Sequence, residues 1–299
     1  MTSDQNESLF CEVYTYHSEV EVDDRHERVL QTKSGSDIWS SPCEYIGYGC
    51  TKSTSTDDEH GMTRPLGVCS ASSPDGKAVI TCPNRFKSNK VYRDLKDKLF
   101  PETNHSFHVL EERSMGNTGR VDLIPVVHKD GSIKDFAAIE IQSSYFSGDS
   151  IRPEFNEYMD EINDGNPPDP PEGSRQMDYR SCIDKRLLPQ IEEKIDVTEA
   201  WDKPLGAIVQ TIAFENSQFV QRIERVPEDE ATFFWFVYDY VEDTPQYRLE
   251  LNQIFPTSYE AMEEAIGSSK APNLDEFKSS LEDRLRREQR QGITLDDFK

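Results

Sequence analysis

The most regular pattern of apolar and polar residues falls in the middle of the chain. An apolar run at 119–127 is followed by the turn Lys129-Asp130-Gly131 and by a second apolar run, Phe136 to Gln142. Two apolar runs joined by a turn that contains Asp-Gly predict an antiparallel pair of strands. We therefore expect a β-hairpin at this point of the fold.

The second strand of this hairpin carries an acidic residue between two isoleucines. Residues two apart point to the same face of a strand, so Glu140 and Gln142 share one face, while Ile139 and Ile141 point to the other. Burying a carboxylate in an apolar strand is costly unless a partner compensates its charge. Asp122, at the start of the first strand, supplies a second carboxylate, and a divalent cation between the two would compensate both. This layout is typical of metal-dependent phosphodiesterase sites.

The rest of the chain alternates between predicted helices and strands, which makes the fold class α/β. The acidic, proline-rich residues 164–173 indicate a long excursion from the sheet. We divide the chain into an N-terminal region, residues 1–100, and a core with C-terminal helices, residues 101–299. Further strands are predicted at 9–14, 205–214, 232–241 and 247–251, and helices at 89–100, at 182–195 around Pro189, and at 274–289.

The composition of the chain indicates the cellular compartment in which we expect the protein. The first residues are polar and acidic, without the features of a signal peptide, and no run approaches the roughly 18 apolar residues that span a bilayer. We expect a cytoplasmic protein that does not interact with membranes. Its six cysteines are then reduced, so a cluster among them favours a metal site over disulfides.

The net charge of −24 differs from the basic footprint of most nucleic-acid binders. A generally acidic surface, as in proteins adapted to high salt, would account for it. The segment 77–98 is an exception, with seven basic and two acidic residues and thus a local charge of +5. It is either a solvated helix face or a surface that contacts phosphates. If the segment contacts the phosphates of a nucleic acid, Arg85 is our candidate for a groove or backbone contact.

Four cysteines lie within one window of 40 residues that is rich in Gly, Pro and Ser: Cys43, Cys50, Cys69 and Cys82. Loops of this composition wrap readily around a tetrahedral ion held by thiolates. The alternative is that they are ordinary small buried residues. Either zinc or a single iron suits four sulfur ligands. Other chemistry has little support, because the chain has no phosphate-binding loop, no His-Glu-x-x-His and no Gly-x-Ser-x-Gly.

Several of these motifs occur in an order that resembles the NotI family of type II restriction endonucleases. The resemblance extends from about Cys43 to Val241, roughly two thirds of the chain. It rests on these segments: Gly67-Val68-Cys69, Cys82-Pro83-Asn84-Arg85, Lys98-Leu99-Phe100, Ile139-Glu140-Ile141-Gln142 and Phe146-Ser147-Gly148.

The resemblance implies a PD-(D/E)XK nuclease core, a mixed sheet flanked by helices, beside a small four-cysteine iron-binding subdomain. It implies a homodimer that cuts both strands of a GC-rich palindrome with Mg²⁺, and a cognate DNA methyltransferase that acts on the same site. Asp122, Glu140 and Gln142 then form the catalytic set, with the two acids holding Mg²⁺ and glutamine in the usual lysine position. The four clustered cysteines become ligands of structural iron or zinc. A catalytically inactive DNA-binding protein and a nicking or repair nuclease remain as alternatives.

Overall fold

The structure is a computed structural model that describes residues 9–17, 43, 45–46, 50, 66–148, 151–163, 177–243, 246–267 and 273–290. The strands are β1 (Phe10–Val13), β2 (Tyr16–His17), β3 (Val68–Ser72), β4 (Ala78–Ile80), β5 (Ser106–Ser114), β6 (Arg120–Lys129), β7 (Ser132–Phe136), β8 (Ala138–Gln142), β9 (Leu205–Gln210), β10 (Phe233–Asp243) and β11 (Gln246–Thr257). The helices are α1 (Asn89–Leu99), α2 (Arg152–Asn163), α3 (Leu188–Ala200), α4 (Thr211–Asn216), α5 (Tyr259–Gly267) and α6 (Leu274–Arg290).

A mixed seven-stranded sheet forms the centre of the molecule, with strands in the order β11-β10-β9-β8-β6-β5 and with β7 paired to β6. Strands β8, β9 and β10 run parallel to one another, and the other pairings are antiparallel. The predicted α/β class with a mixed sheet flanked by helices is therefore confirmed. A second, antiparallel sheet of four short strands, β2-β1-β3-β4, comes from the N-terminal part of the chain.

Helices cover both faces of the large sheet, and the alternation of side chains along its strands assigns each residue to one face. On β9, Ala207 and Val209 belong to the apolar cluster that includes α3, α4 and α5, whereas Ile208 belongs to the cluster that includes α1. On β8, Ile139 and Ile141 face α1. Glu140, between them in sequence, is thereby directed towards α3.

The predicted hairpin is present, but its second arm is divided into two strands. After the turn, β7 pairs with the end of β6. The strand is interrupted at Ala137, and β8 then pairs with β6 at Leu123–Ile139. The predicted helix at 89–100 is confirmed as α1. Its first turn is capped by Ser88, whose side chain accepts a hydrogen bond from the backbone N–H of Val91.

The predicted strand at 205–214 is wrong in its second half. Strand β9 ends at Gln210, whose side-chain amide bonds to the backbone of β4 through Ile80 N and Ala78 O. The next residues form α4, which buries Ile212 and Phe214. A short apolar run can be either a strand or a buried helix, so the pattern alone did not distinguish the two. Pro189 does not break the predicted helix, since it occupies the first turn of α3 after a π-helical turn.

The proline-rich excursion at 164–173 lies outside the described residues. No described helix is both long enough and apolar enough to cross a membrane.

Candidate active site

Strands β6 and β8 bring Asp122 and Glu140 into contact. The backbone N–H of Ile141 donates a hydrogen bond of 2.8 Å to Asp122 Oδ2, which turns the aspartate towards the neighbouring strand. The Glu140 carboxyl group lies within hydrogen-bonding reach of Asp122. Glu140 is almost completely buried, whereas Asp122 is half-buried. The predicted pair of carboxylates therefore meets at the point where the two strands adjoin.

Both acids have raised pKa values, which reflects the difficulty of keeping two negative charges in this place. Burial, followed by the negative charge of Asp122, raises the pKa of Glu140 from its ordinary 4.5 to about 7. Burial also raises the pKa of Asp122, although the hydrogen bond from Ile141 opposes this effect. The pair favours a proton or another cation over two bare carboxylates.

A lysine that the sequence reasoning missed contacts Glu140. Lys194 Nζ lies 3.2 Å from Glu140 Oε1, and both side chains are about 2% exposed or less. The ammonium group also donates to the backbone carbonyl of Gln190, 3.2 Å away. The signal was present in the pattern of α3, because Lys194 lies on the same buried helix face as Ile191 and Thr198.

The donor set fits a hard cation. Glu140 Oε1 is buried and accepts no hydrogen bond of normal geometry, so the nearby ammonium compensates its charge without satisfying its lone pairs. Mg²⁺ prefers oxygen ligands and is commonly held by one or two carboxylates, with water and substrate phosphate completing its shell. Within the described part of the chain, no group of three or more His, Cys, Asp or Glu side chains is arranged to hold a metal. A magnesium site here would rest on Asp122 and Glu140 alone.

Gln142 follows Glu140 on the same face of β8 but makes a different kind of contact. It is buried, and its Nε2 donates a hydrogen bond to the backbone carbonyl of Ser143. No hydrogen bond between described residues joins Gln142 to Asp122 or Glu140. Its predicted catalytic role therefore stays a prediction.

The structure brings part of the cysteine cluster together. Cys82 N donates to Cys69 O at 3.2 Å, which places the two residues on adjoining backbone segments. Burial raises the pKa of the Cys69 thiol, and the charges of Glu12, Cys82 and Cys50 add to this effect. Among the described residues, none of the four predicted ligands, including Cys43, takes part in a disulfide, and no three of them are arranged to hold a metal. The four-cysteine metal site stays a prediction.

Arg85 does not lie on the surface, contrary to the expectation that it contacts DNA. Its guanidinium group is buried, with Nη2 3.2 Å from Glu12 Oε1 and Nε donating to the Tyr240 hydroxyl at 3.0 Å. The same hydroxyl donates to Glu12 Oε2. Arg85 thus ties β1 of the small sheet to β10 of the large sheet, and it is already occupied with protein partners.

The other basic residues of segment 77–98 are also largely compensated. Among the described residues, Arg93 is the one basic side chain of the segment without a carboxylate within 4 Å. Acidic residues from other parts of the chain and from α1 itself therefore compensate most of the local charge of +5. The remaining pairs are Lys77–Asp75, Lys87–Glu111, Lys90–Asp94, Lys96–Asp97 and Lys98–Glu228.

Comparison with known proteins gives a family match over more than half of the chain. A family model described as "Restriction endonuclease NotI" matches residues 48–251. The matched part includes Asp122, Glu140 and Gln142, and three of the four clustered cysteines, but it begins after Cys43. No curated protein sequence matches the chain.

Proposed function

Since the chain belongs to the NotI family of restriction endonucleases, we propose that it hydrolyses double-stranded DNA at a specific site with Asp122 and Glu140 as the Mg²⁺-binding pair. The observation that carries the proposal is the close approach of the buried Glu140 carboxyl group to the half-buried Asp122. Packing alone gives no reason to place two acids side by side beneath a helix, because burial raises the pKa of both and the charge of Asp122 raises that of Glu140 further. A cation bound between them would remove that cost.

Each residue of the pair has a defined part in this proposal. Asp122 Oδ2 accepts a hydrogen bond from the backbone N–H of Ile141, the residue after Glu140 on β8, which leaves the second oxygen as the atom able to bind a cation. Glu140 presents Oε1, which is buried and without a hydrogen bond. When bound, Mg²⁺ would lower the pKa of water and offset the charge on the scissile phosphate. Because the two acids would hold the metal, their position would determine which phosphodiester bond of the DNA is hydrolysed.

We assign Gln142 a positioning role. It carries no charge and cannot replace the electrostatic contribution of a lysine. Its Nε2 is held by the Ser143 carbonyl, which leaves the amide oxygen as the atom able to accept a hydrogen bond from an attacking water. We expect the substitution of Gln142 to reduce the rate of cleavage less than the substitution of either acid.

The wider context follows from the same family membership. A homodimer would place one Asp122–Glu140 pair on each strand of a two-fold symmetric, GC-rich site. The clustered thiols would hold iron or zinc, which would order a region with little apolar core of its own. A methyltransferase that modifies the same DNA site would protect the host.

The proposal is tested by incubating the purified protein with unmethylated phage DNA and Mg²⁺, and by sequencing the ends that form. Discrete and identical termini support a site-specific endonuclease, whereas random nicks favour a nicking or repair enzyme. Glu140→Ala should fold and bind DNA but should not cut it. Glu193→Ala, which removes an exposed acid of α3, is the matched control and should cut like the wild type. Absence of cleavage by the wild type would favour an inactive DNA-binding protein.

A further inference from the structure

The buried lysine of α3 is the feature of this site that the proposed function leaves without a role. A lysine is rarely fully buried unless it is paired, because removing its charge from water is costly. Lys194 is 2% exposed, and its partner is an acid of the predicted magnesium site. A methionine would fill the same apolar space between helix and sheet without this cost, so the charge itself requires an explanation.

The strand that carries Glu140 lacks a positive charge at the position where nucleases of this layout place one. That position is occupied by Gln142, whose amide group is turned to the backbone of Ser143. Phosphodiester hydrolysis builds negative charge on the phosphate, and a fixed positive charge in a site of low polarity lowers that barrier. Strand β8 does not supply this positive charge, so another part of the chain has to place a cation beside the scissile phosphate.

We infer that Lys194 is a catalytic residue and provides the positive charge that faces the scissile phosphate, in place of a lysine on β8. This inference rests on the proposed function. Any group bound to Glu140 Oε1 lies beside the Lys194 ammonium, which is 3.2 Å from that oxygen. In the absence of metal and DNA, the ammonium compensates Glu140; with both bound, it is placed next to the phosphate oxygens.

One further contact and one electrostatic effect support this role. The hydrogen bond from Lys194 Nζ to Gln190 O fixes the ammonium on the helix, so that it does not depend on Glu140 for its position. The positive charge of Lys194 also acts on both acids, since it opposes the rise in the pKa of Asp122 as well as of Glu140. The ammonium contacts Glu140 directly and acts on Asp122 through its charge.

A catalytic cation and a merely structural one differ in their effect on metal binding. A positive charge beside the metal ligands repels the metal, so its removal should strengthen metal binding while it slows hydrolysis. If Lys194 only holds Glu140 in place, its removal should weaken metal binding and cleavage together. The variant Lys194→Met removes the charge and keeps the length of the side chain. Lys278→Met, at an exposed position of α6, is the matched control.

The first measurement is calorimetric titration of Mn²⁺ alone into the folded proteins at about pH 9. We expect Lys194→Met to bind Mn²⁺ about tenfold more tightly than the wild type, and Lys278→Met to bind like the wild type. Weaker binding by Lys194→Met would overturn the inference. This arm does not depend on cleavage, so it separates failure of the inference from failure of the proposed function.

The second measurement is the single-turnover rate of cleavage at saturating Mg²⁺ on the DNA site identified from the phage digest. We expect Lys194→Met to be slower by about 10²- to 10³-fold, with no recovery when Mg²⁺ is raised further. A rate within threefold of the wild type, or full recovery with more Mg²⁺, would overturn the inference. If Lys194→Met does not fold, Lys194→Gln, which keeps a donor for the Gln190 carbonyl, gives the same two comparisons.

Discussion

Glu140→Gln should make the metal-free protein more stable at neutral and alkaline pH, although it abolishes cleavage. Burial and the adjacent Asp122 raise the pKa of Glu140 from 4.5 to about 7 in the folded protein. The folded state therefore holds this proton more tightly than the unfolded chain does. The contribution of the carboxyl group to stability is fully present below about pH 4.5 and is lost as the pH rises through about 7.

The size of the effect follows from the two pKa values. Each pKa unit corresponds to 1.36 kcal/mol, so a change from 4.5 to about 7 corresponds to about 3 kcal/mol at most. For a protein of 299 residues, this free energy shifts the melting temperature by about 5 °C. Glutamine has the shape of a protonated glutamate and keeps an oxygen near Lys194, so it should retain the folded geometry without the charge.

The assay compares melting temperatures of the wild type and Glu140→Gln at about pH 4 and about pH 8, with EDTA and then with Mg²⁺. We expect the two proteins to melt together at the lower pH, and the variant to melt about 5 °C higher at the upper pH. Added Mg²⁺ should stabilise the wild type, since a ligand that binds only the folded state raises its stability. It should have no such effect on the variant.

Glu193→Gln is the matched control, because it makes the same chemical change at an exposed position on α3. It should follow the wild type at both pH values. A Glu140→Gln protein that melts with the wild type, or below it, at pH 8 would refute the reasoning. Such a result would mean that Lys194 fully compensates the ionised carboxylate.

Three further substitutions test other parts of the account. Asp122→Asn should keep the hydrogen bond from Ile141 N, and hence the fold by circular dichroism, but lose Mg²⁺-dependent cleavage; retained plasmid cleavage would exclude Asp122 from the site. Cys69→Ser should lower the iron or zinc content of the purified protein, and an unchanged content by elemental analysis would contradict the four-cysteine assignment. Arg85→Met should destabilise the protein by about 3 to 5 kcal/mol in urea unfolding, because it leaves the Glu12 carboxylate buried without its cation; a loss below about 1 kcal/mol would show that this pair does not hold the two sheets together.

Local patterns were sufficient for the parts of the fold that depend on neighbouring residues. The hairpin could be predicted because the Asp-Gly turn joins apolar runs, and Asp130 and Gly131 adopt the positive φ values that such a turn requires. Helix α1 could be predicted from its periodicity and from Pro101. The contact between Asp122 and Glu140 followed from the pairing of β6 with β8, which the hairpin already implied.

The parts that failed depend on tertiary contacts. Residues 211–214 form a helix whose apolar side chains are buried in the core, and Gln210 before it bonds to β4, a partner that is distant in sequence. Arg85 was expected at a DNA surface because its neighbours are basic, but its partners Glu12 and Tyr240 come from opposite ends of the chain. Lys194 was missed for the same reason, since only the packing of α3 on the sheet brings it to Glu140.

The most direct test of the central claim is the position of a bound metal ion. Crystals of the wild type grown with Mn²⁺, and of Glu140→Gln grown in the same way, should be compared by anomalous scattering. We expect a manganese peak in contact with carboxylate oxygens of both Asp122 and Glu140, and the loss of that peak in the variant. A structure of the wild type with manganese bound elsewhere and with the two carboxylates turned away from each other would contradict it.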